Sequence, residues 1–449
     1  MKRADSQVAD RAEEADEYAA FALPRPSRTL TALASSALAL PGIASPAKAD
    51  APIERATASS AFSYYVEDNL SPSDFFDDDP GPGEGSGSRD RYEVYTQQLR
   101  FDFPVSDRFD VGVDFLYEEM SGASPWFVNV QPGNPKPLQV MSGATIDDER
   151  IDGTIDLDYY MDTGKDTFTG GFSIERDYTS MHFGLGAERN FNDKNTVLNV
   201  SGAFSYDWVN PTDSENSFRP GSDQKWGIDL FAAMSQIVSR AATIQGTVNY
   251  KHSEGFLNDP YKAVAFLDGR AIVTDERPDT KDQVSLMLRY RHHFESLGGS
   301  AHGDYRFYAD DWGVISHTVE VAWYQTFFEW LTFAPTVRWY TQSKADFYEA
   351  ILPAAAPPSE RTSDYRLSPY GAISIKGKLE VELKDLFDYS PPRWLEQIGV
   401  SEGLDLIAAL SYERYLSDGA FSITSVSEFD EAPGLVNFQV FAFTLSGRF

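Results

Sequence analysis

The chain has 449 residues, no cysteine and a formal net charge of −31. The missing cysteines exclude a disulfide framework and thiolate metal sites, and the acidity excludes the basic surface that nucleic acid needs. Aromatic residues reach 14%, mostly Phe and Tyr, yet mean hydropathy is −0.38, and no stretch after residue 50 has the roughly 20 apolar residues of a membrane-spanning helix. A polar, aromatic-rich, strand-patterned chain of this kind has the composition of a transmembrane barrel.

Residues 1–49 read as a secretory signal with an extended charged lead. Arg25 and Arg28 precede an apolar run from Thr29 to Leu40, and Ala47-Lys48-Ala49 supplies a small-x-small cleavage pattern before Asp50. Residues 50–449 read as a single domain. Period-two alternation, which puts successive side chains on opposite faces of a strand, predicts about sixteen strands. They fall near 60–68, 92–103, 108–120, 149–160, 168–177, 180–190, 195–208, 225–236, 241–252, 282–294, 300–308, 316–326, 330–342, 365–378, 403–414 and 437–449.

The links between these segments nearly alternate in length. Long ones run over 69–91, 121–148, 209–224, 253–281, 343–364 and 415–436; short ones over 104–107, 161–167, 191–194, 237–240, 295–299 and 327–329. Outer-membrane barrels have this parity, with long external loops, short periplasmic turns and an even number of strands. A soluble sandwich has no reason to keep it. Two links depart from it: a short outer one near Asp177–Ser180, and a long inner one at 379–402, where Phe387, Trp394, Leu395 and Ile398 suggest a short helix. Pro335 removes a ladder donor inside a predicted strand, so a bulge or local break is expected there. The chain ends with Phe441, Phe443, Leu445, Gly447 and Phe449 on one face, which resembles the terminal signature of proteins handed to the barrel-assembly machinery.

The hairpin from Ser300 to Trp323 shows the two faces most clearly. His302, Asp304, Arg306 and Tyr308 alternate with Ala301, Gly303, Tyr305 and Phe307; Thr318, Glu320 and Ala322 alternate with Val319, Val321 and Trp323. With the apolar register turned to lipid, the charged register lines the lumen. One wall is then acidic, with Asp110, Asp114 and Glu118 on one strand and Asp152, Asp156 and Asp158 on the next. The other is basic with acidic partners: Arg289, Arg291, Asp304, Arg306, Glu320 and Arg338. On closure the two walls face each other. Two readings compete: the charges pair across strands and plug the interior, or they set up a transverse field that orients a polar solute.

Other chemistry is weaker. Of six histidines only His292 and His293 are close in sequence, and they point to opposite faces of a strand, so no metal site is expected. Ser180, His182 and Glu188 share a strand face but lack the convergence a hydrolase needs; the chain does not read as an enzyme. The acidic stretch Asp77-Asp78-Asp79 lacks the spaced ligands of a calcium loop and reads as a solvated external loop. Ser121-Gly122-Ala123-Ser124 recurs as Ser142-Gly143-Ala144-Thr145. The pair reads as two turns that open and close one loop, with Gly supplying the unusual backbone angle. A sharper reading likens the second copy to the motif on which flavin is attached covalently, with Thr145 carrying FMN. That motif has Asp three residues before its Ser or Thr, whereas here Glu118 and Gln139 stand before the two copies, and no cofactor is the favoured expectation.

Seven motifs in order carry a family resemblance: Ser-Gly-Ala-Ser-Pro at 121–125, Ser-Gly-Ala-Thr-Ile at 142–146, Glu-Arg-Asp-Tyr-Thr-Ser at 175–180, Asn-Asp-Pro-Tyr-Lys at 258–262, Asp-Glu-Arg-Pro-Asp at 275–279, Asp-Tyr-Arg-Phe-Tyr-Ala-Asp-Asp-Trp at 304–312, and Gln342 to Tyr348. Together they resemble a bacterial family of outer-membrane barrels classed as a domain of unknown function, the DUF3570 type. The resemblance implies a secreted barrel and no particular substrate. Several of these motifs sit in loops, which often carry binding; the favoured expectation is that Asp259–Lys262, Asp310–Trp312 and Asp346–Tyr348 pack together as a lid. The sequence therefore predicts an all-β, antiparallel outer-membrane barrel in contact with lipid, either a channel for small polar or charged solutes or a non-conducting structural or surface-binding barrel, the latter possibility including service to an extracytoplasmic redox system.

Overall fold

The computed structural model describes residues 52–53, 55–76, 88–131, 134–142, 146–211, 222–267, 272–328, 330–353, 356–383, 405–424, 426–427, 430 and 432–448. Its strands are β1 (Thr57–Glu67), β2 (Glu93–Ser106), β3 (Phe109–Gly122), β4 (Pro125–Gln131), β5 (Asn134–Met141), β6 (Ile146–Met161), β7 (Gly164–Ile174), β8 (Tyr178–Phe191), β9 (Thr196–Val209) and β10 (Asp223–Ser239). They continue with β11 (Ala242–Gly255), β12 (Ala263–Ala265), β13 (Ile272–Thr274), β14 (Thr280–Phe294), β15 (Gly299–Asp310), β16 (Ile315–Phe327), β17 (Leu331–Gln342), β18 (Tyr370–Glu382), β19 (Asp405–Asp418) and β20 (Phe438–Arg448). The leader, the Asp77–Asp79 stretch, Thr145, the inner link around Trp394 and Phe449 lie outside the described residues.

Sixteen strands close into one antiparallel barrel in the order β1-β2-β3-β6-β7-β8-β9-β10-β11-β14-β15-β16-β17-β18-β19-β20. The ring is sealed where β1 pairs with β20, setting Phe62 opposite Phe443 and Tyr64 opposite Phe441. Closure leaves no unpaired edge, the condition a sheet must meet to sit in hydrocarbon. Alternation sorts the side chains. Leu185 and Ile375 are 67% and 62% exposed, and Phe115, Ile155, Phe183, Val321 and Val337 share their outward register. A continuous apolar surface of this size is costly in water and suited to lipid. The opposite register turns polar side chains inward, and many are buried there, among them Asp110, Asp114, Ser173 and Ser180.

The predicted strands correspond one for one to the barrel strands, with ends displaced by a few residues. The sequence reading missed the two small hairpins, β4–β5 and β12–β13, which pair outside the barrel sheet. The short outer link stands at 175–177, and a second one, Asp311–Val314, joins β15 to β16 at the same end. A strand was expected to begin at 365; instead Tyr365–Leu367 forms a 3-10 turn capped by Asp364, and β18 begins at Tyr370. At Pro335 the ladder to β16 is interrupted between the Ala322–Thr336 and Gln325–Phe333 pairs without a change of register, while Pro335 still sits opposite Gly377 on the other side. It is a local break and not a bulge.

Candidate functional site

The acidic wall is built on β3 and β6. Asp110 lies opposite Asp158 and Gly112 opposite Asp156 in the register, and the three carboxylates turn away from the outward Phe115, Ile151 and Leu157. Like charges this close need cations and donors between them. Arg100 on β2 bonds Asp102 at 2.9 Å and reaches Asp156 at 3.4 Å. Arg150 on β6 bonds Asp152 at 3.2 Å and lies 3.9 Å from Glu118. Gln98 donates to Asp114 at 2.8 Å, Thr169 to Asp156 at 2.7 Å and Thr167 to Asp158 at 2.5 Å. Ile53 donates its amide to Asp110 at 3.1 Å, so the chain before β1 turns against this wall. The sequence reading overlooked Arg100 and Arg150 as its cations, although each shares the inward register of its acidic neighbour.

The basic wall spans β14 to β17. Asp304 on β15 sits opposite Arg289 on one side and Glu320 on the other, and Glu320 sits opposite Arg338. Arg291 grips Asp304 with both Nη groups. Arg289 Nε stays 3.6 Å from the same carboxylate. Arg338 donates to Glu320 at 2.7 Å. Arg306 donates from Nε to Ser285 at 2.9 Å and is otherwise exposed to the lumen. In the ring β3 and β6 are separated from β15 and β16 by six strands in either direction, so the two walls stand opposite each other. Cross-strand ion pairs are present on both walls, and the two walls differ in their dominant sign. A 16-strand ring is wide enough for an aqueous channel.

The three loop motifs meet at one mouth, as the lid reading expects. Trp312 packs edge-on to Phe347 with centroids 5.2 Å apart, in a cluster with Leu257, Val314, Tyr348 and Leu367. The loop after β11 and the loop after β17 are stitched by backbone bonds: Glu276 and Arg361 exchange hydrogen bonds at 3.0 and 2.7 Å, and Leu352 bonds Ala265 at 2.9 Å. The free side of this assembly reaches the β4–β5 hairpin, where Phe127 and Val140 pack on Ala263 and Ala265. That hairpin is rooted between β3 and β6. Strands β7 to β10 separate the roots on one side, and β19, β20, β1 and β2 on the other. The contact therefore crosses the mouth. Around the rim Tyr261 bonds Asp177, Lys344 bonds Asp430 at 2.8 Å, and the Arg91 guanidinium lies 5.4 Å from the Tyr365 ring centroid.

At the centre of the lid lies a buried charge cluster. Arg277 bonds Asp275 at 2.7 Å and Asp364 at 3.0 Å. Arg366 bonds Asp259 and Asp364, and Thr362 bonds Asp275 at 2.5 Å. Burial pushes the Asp364 carboxyl up, but Arg366 and Arg277 outweigh it and hold the group well below the usual carboxylate range. For Asp275 burial wins over Arg277, and the carboxyl is raised. Burial lowers Lys262 to about 8, against the pull of Asp364 and Asp259. The sequence reading singled out Asp259 and Lys262 within a motif but assigned none of these pairs.

Ser121–Ser124 and Ser142, the described part of the repeated tetrapeptide, stand at the two ends of one loop. Gly122 has φ +126, Ser142 donates its amide to Ser124 at 2.8 Å, and Ser124 donates its amide to the Ser142 hydroxyl at 3.0 Å. Nearby, Asp148, Glu175 and Asp177 bring oxygens within 4.8 Å of one another, with Arg150 beside Glu175 and Tyr261 on Asp177.

The family described as "Protein of unknown function (DUF3570)" matches residues 30–390. The chain belongs to this family. No curated protein matches it. Among solved structures, this DUF3570 barrel is similar to a "Bacterial polysaccharide outer membrane secretin" at 9% identity and a TM-score of 0.43, covering 87% of this chain and 98% of that one. It is similar to a Pseudomonas aeruginosa FadL homologue at 11% and 0.39, covering 88% and 90%, and to Pseudomonas aeruginosa OpdK with vanillate at 9% and 0.39, covering 88% and 99%. At such identities and scores none of them carries a function over to the DUF3570 barrel.

Proposed function

We propose that the protein resides in the outer membrane and is a channel for small polar or charged solutes, closed at rest by its lid. The observation that carries this reading is the opposition of the β3–β6 acidic wall and the β14–β17 basic wall across a ring wide enough to hold water. A solute with a dipole or a charge is oriented between such walls, and the lid sets when it enters. Lipid covers the outer girdle, and the final strand delivers the chain to the assembly machinery. The refolded chain in a planar bilayer tests the channel. The wild type is expected to show brief, discrete ohmic steps whose size changes with Arg289→Ala or Asp156→Ala, and weakening the lid with Arg366→Ala is expected to lengthen the openings. A folded barrel that passes no current, with and without that lid substitution, sinks the channel reading. The buried ion pairs of the lid favour the second reading in that case, a non-conducting structural or surface-binding barrel; flavin fluorescence on the purified protein would then point to its redox version.

A further inference from the structure

We propose that the wall of β14 and β15 holds a binding site for a small oxyanion, a carboxylate or phosphate, on the guanidiniums of Arg289 and Arg306. This deepens the lumen reading by naming a solute class. The site follows from an imbalance. Arg289, Arg291 and Arg306 occupy neighbouring positions of the same inward face, and Asp304 is the carboxylate set among them. Arg291 takes both oxygens of Asp304. Glu320, on the next strand, is engaged by Arg338 at 2.7 Å.

Two guanidiniums are left under-used. Arg289 Nε is buried and makes no hydrogen bond among the described residues; its 3.6 Å approach to Asp304 is an ion pair too long to be one. Arg306 spends Nε on the neutral Ser285 hydroxyl, and its two Nη groups make no hydrogen bond among the described residues. The buried Arg289 Nε without an acceptor is costly, and the exposed Arg306 faces the lumen beside it. An oxyanion meets that need, because a pair of its oxygens matches the guanidinium fork. The acidic wall across the lumen repels the same anion and confines it to this side.

Calorimetric titration of the full chain, refolded in detergent, with inorganic phosphate at constant ionic strength tests the site. The wild type is expected to bind saturably. Arg289→Gln and Arg306→Gln are each expected to weaken binding roughly tenfold or more, while Arg108→Gln, at an exposed turn outside the lumen, leaves it unchanged. Heat-modifiable mobility identifies folded barrels. Arg306→Lys keeps the charge and removes the fork, so a weaker isotherm supports the assignment even where a glutamine variant does not fold. Absence of saturable binding, wild-type affinity in Arg306→Lys, or loss with Arg108→Gln overturns it. Binding without current leaves this site standing and removes the channel; current without binding does the reverse.

Discussion

Removing Arg366 should unlock the lid while leaving the barrel folded. In Arg366→Ala, Asp259 and Asp364 lose a shared guanidinium although their side chains are only 1% and 0% exposed. Breaking a buried pair by deleting one partner costs about 3–5 kcal/mol. Asp364 retains Arg277 at 3.0 Å, and Asp259 still accepts from the Tyr261 amide at 3.0 Å, so the lower end, about 3 kcal/mol, applies. At ~1.4 kcal/mol per factor of ten, the opened lid becomes on the order of a hundredfold more populated. Amide hydrogen exchange reads this directly at Glu276, Arg361 and Leu352, whose amides bond across the two loops. Their protection should fall by about that factor, while amides in β15 and β16 stay protected. Arg366→Lys should fall between, because one ammonium cannot serve both carboxylates as a fork does. Unchanged exchange at the three amides would refute the account of the lid as an ion-pair lock; a parallel loss in β15 and β16 would show that the whole barrel had been weakened.

Two further outcomes follow from the loops. Because burial holds Lys262 at about 8, below its ordinary value, the folded lid binds fewer protons than the open one between about pH 8 and about 10.5. Its closure should therefore strengthen as pH rises through that window, and Lys262→Met should flatten the dependence when lid protection is compared after correction for intrinsic exchange. Gly122→Ala places a Cβ 2.4 Å from the Arg91 carbonyl oxygen at φ +126. A substitution there should cost about 1–3 kcal/mol of local stability and lower the temperature at which the folded form is lost in a heat-modifiability series; no change would argue against this backbone at the β3 end.

The strand count, the antiparallel order and the lipid-facing register were legible in the sequence because each rests on local information. A strand exposed to lipid on one side must alternate along its own length, as Val319, Glu320 and Val321 do, and the near-alternation of long and short links separates the two ends of the ring. The register shared by the charged residues of each strand was legible for the same reason. Arg100 and Arg150 could have been found by the same alternation, since each lies two residues before an inward carboxylate, Asp102 and Asp152. The 3-10 turn at Tyr365 escaped because Asp364 caps it by accepting from the Arg366 amide, a signal that alternation does not contain.

What only the tertiary structure decided is who meets whom. Arg366 finds Asp259 across 107 residues and Arg277 finds Asp364 across 87, between loops whose irregular backbone has no period to read. Their meeting depends on ring closure, which brings the roots of the two loops within reach of each other and faces them toward the β4–β5 hairpin. The same closure turns two charged walls, distant in sequence, into opposite sides of one lumen, while the β14–β15 side-chain geometry gives Asp304 to Arg291 and leaves Arg289 and Arg306 with donors to spare. Alternation fixes which face a side chain takes; only the closed ring fixes its partner.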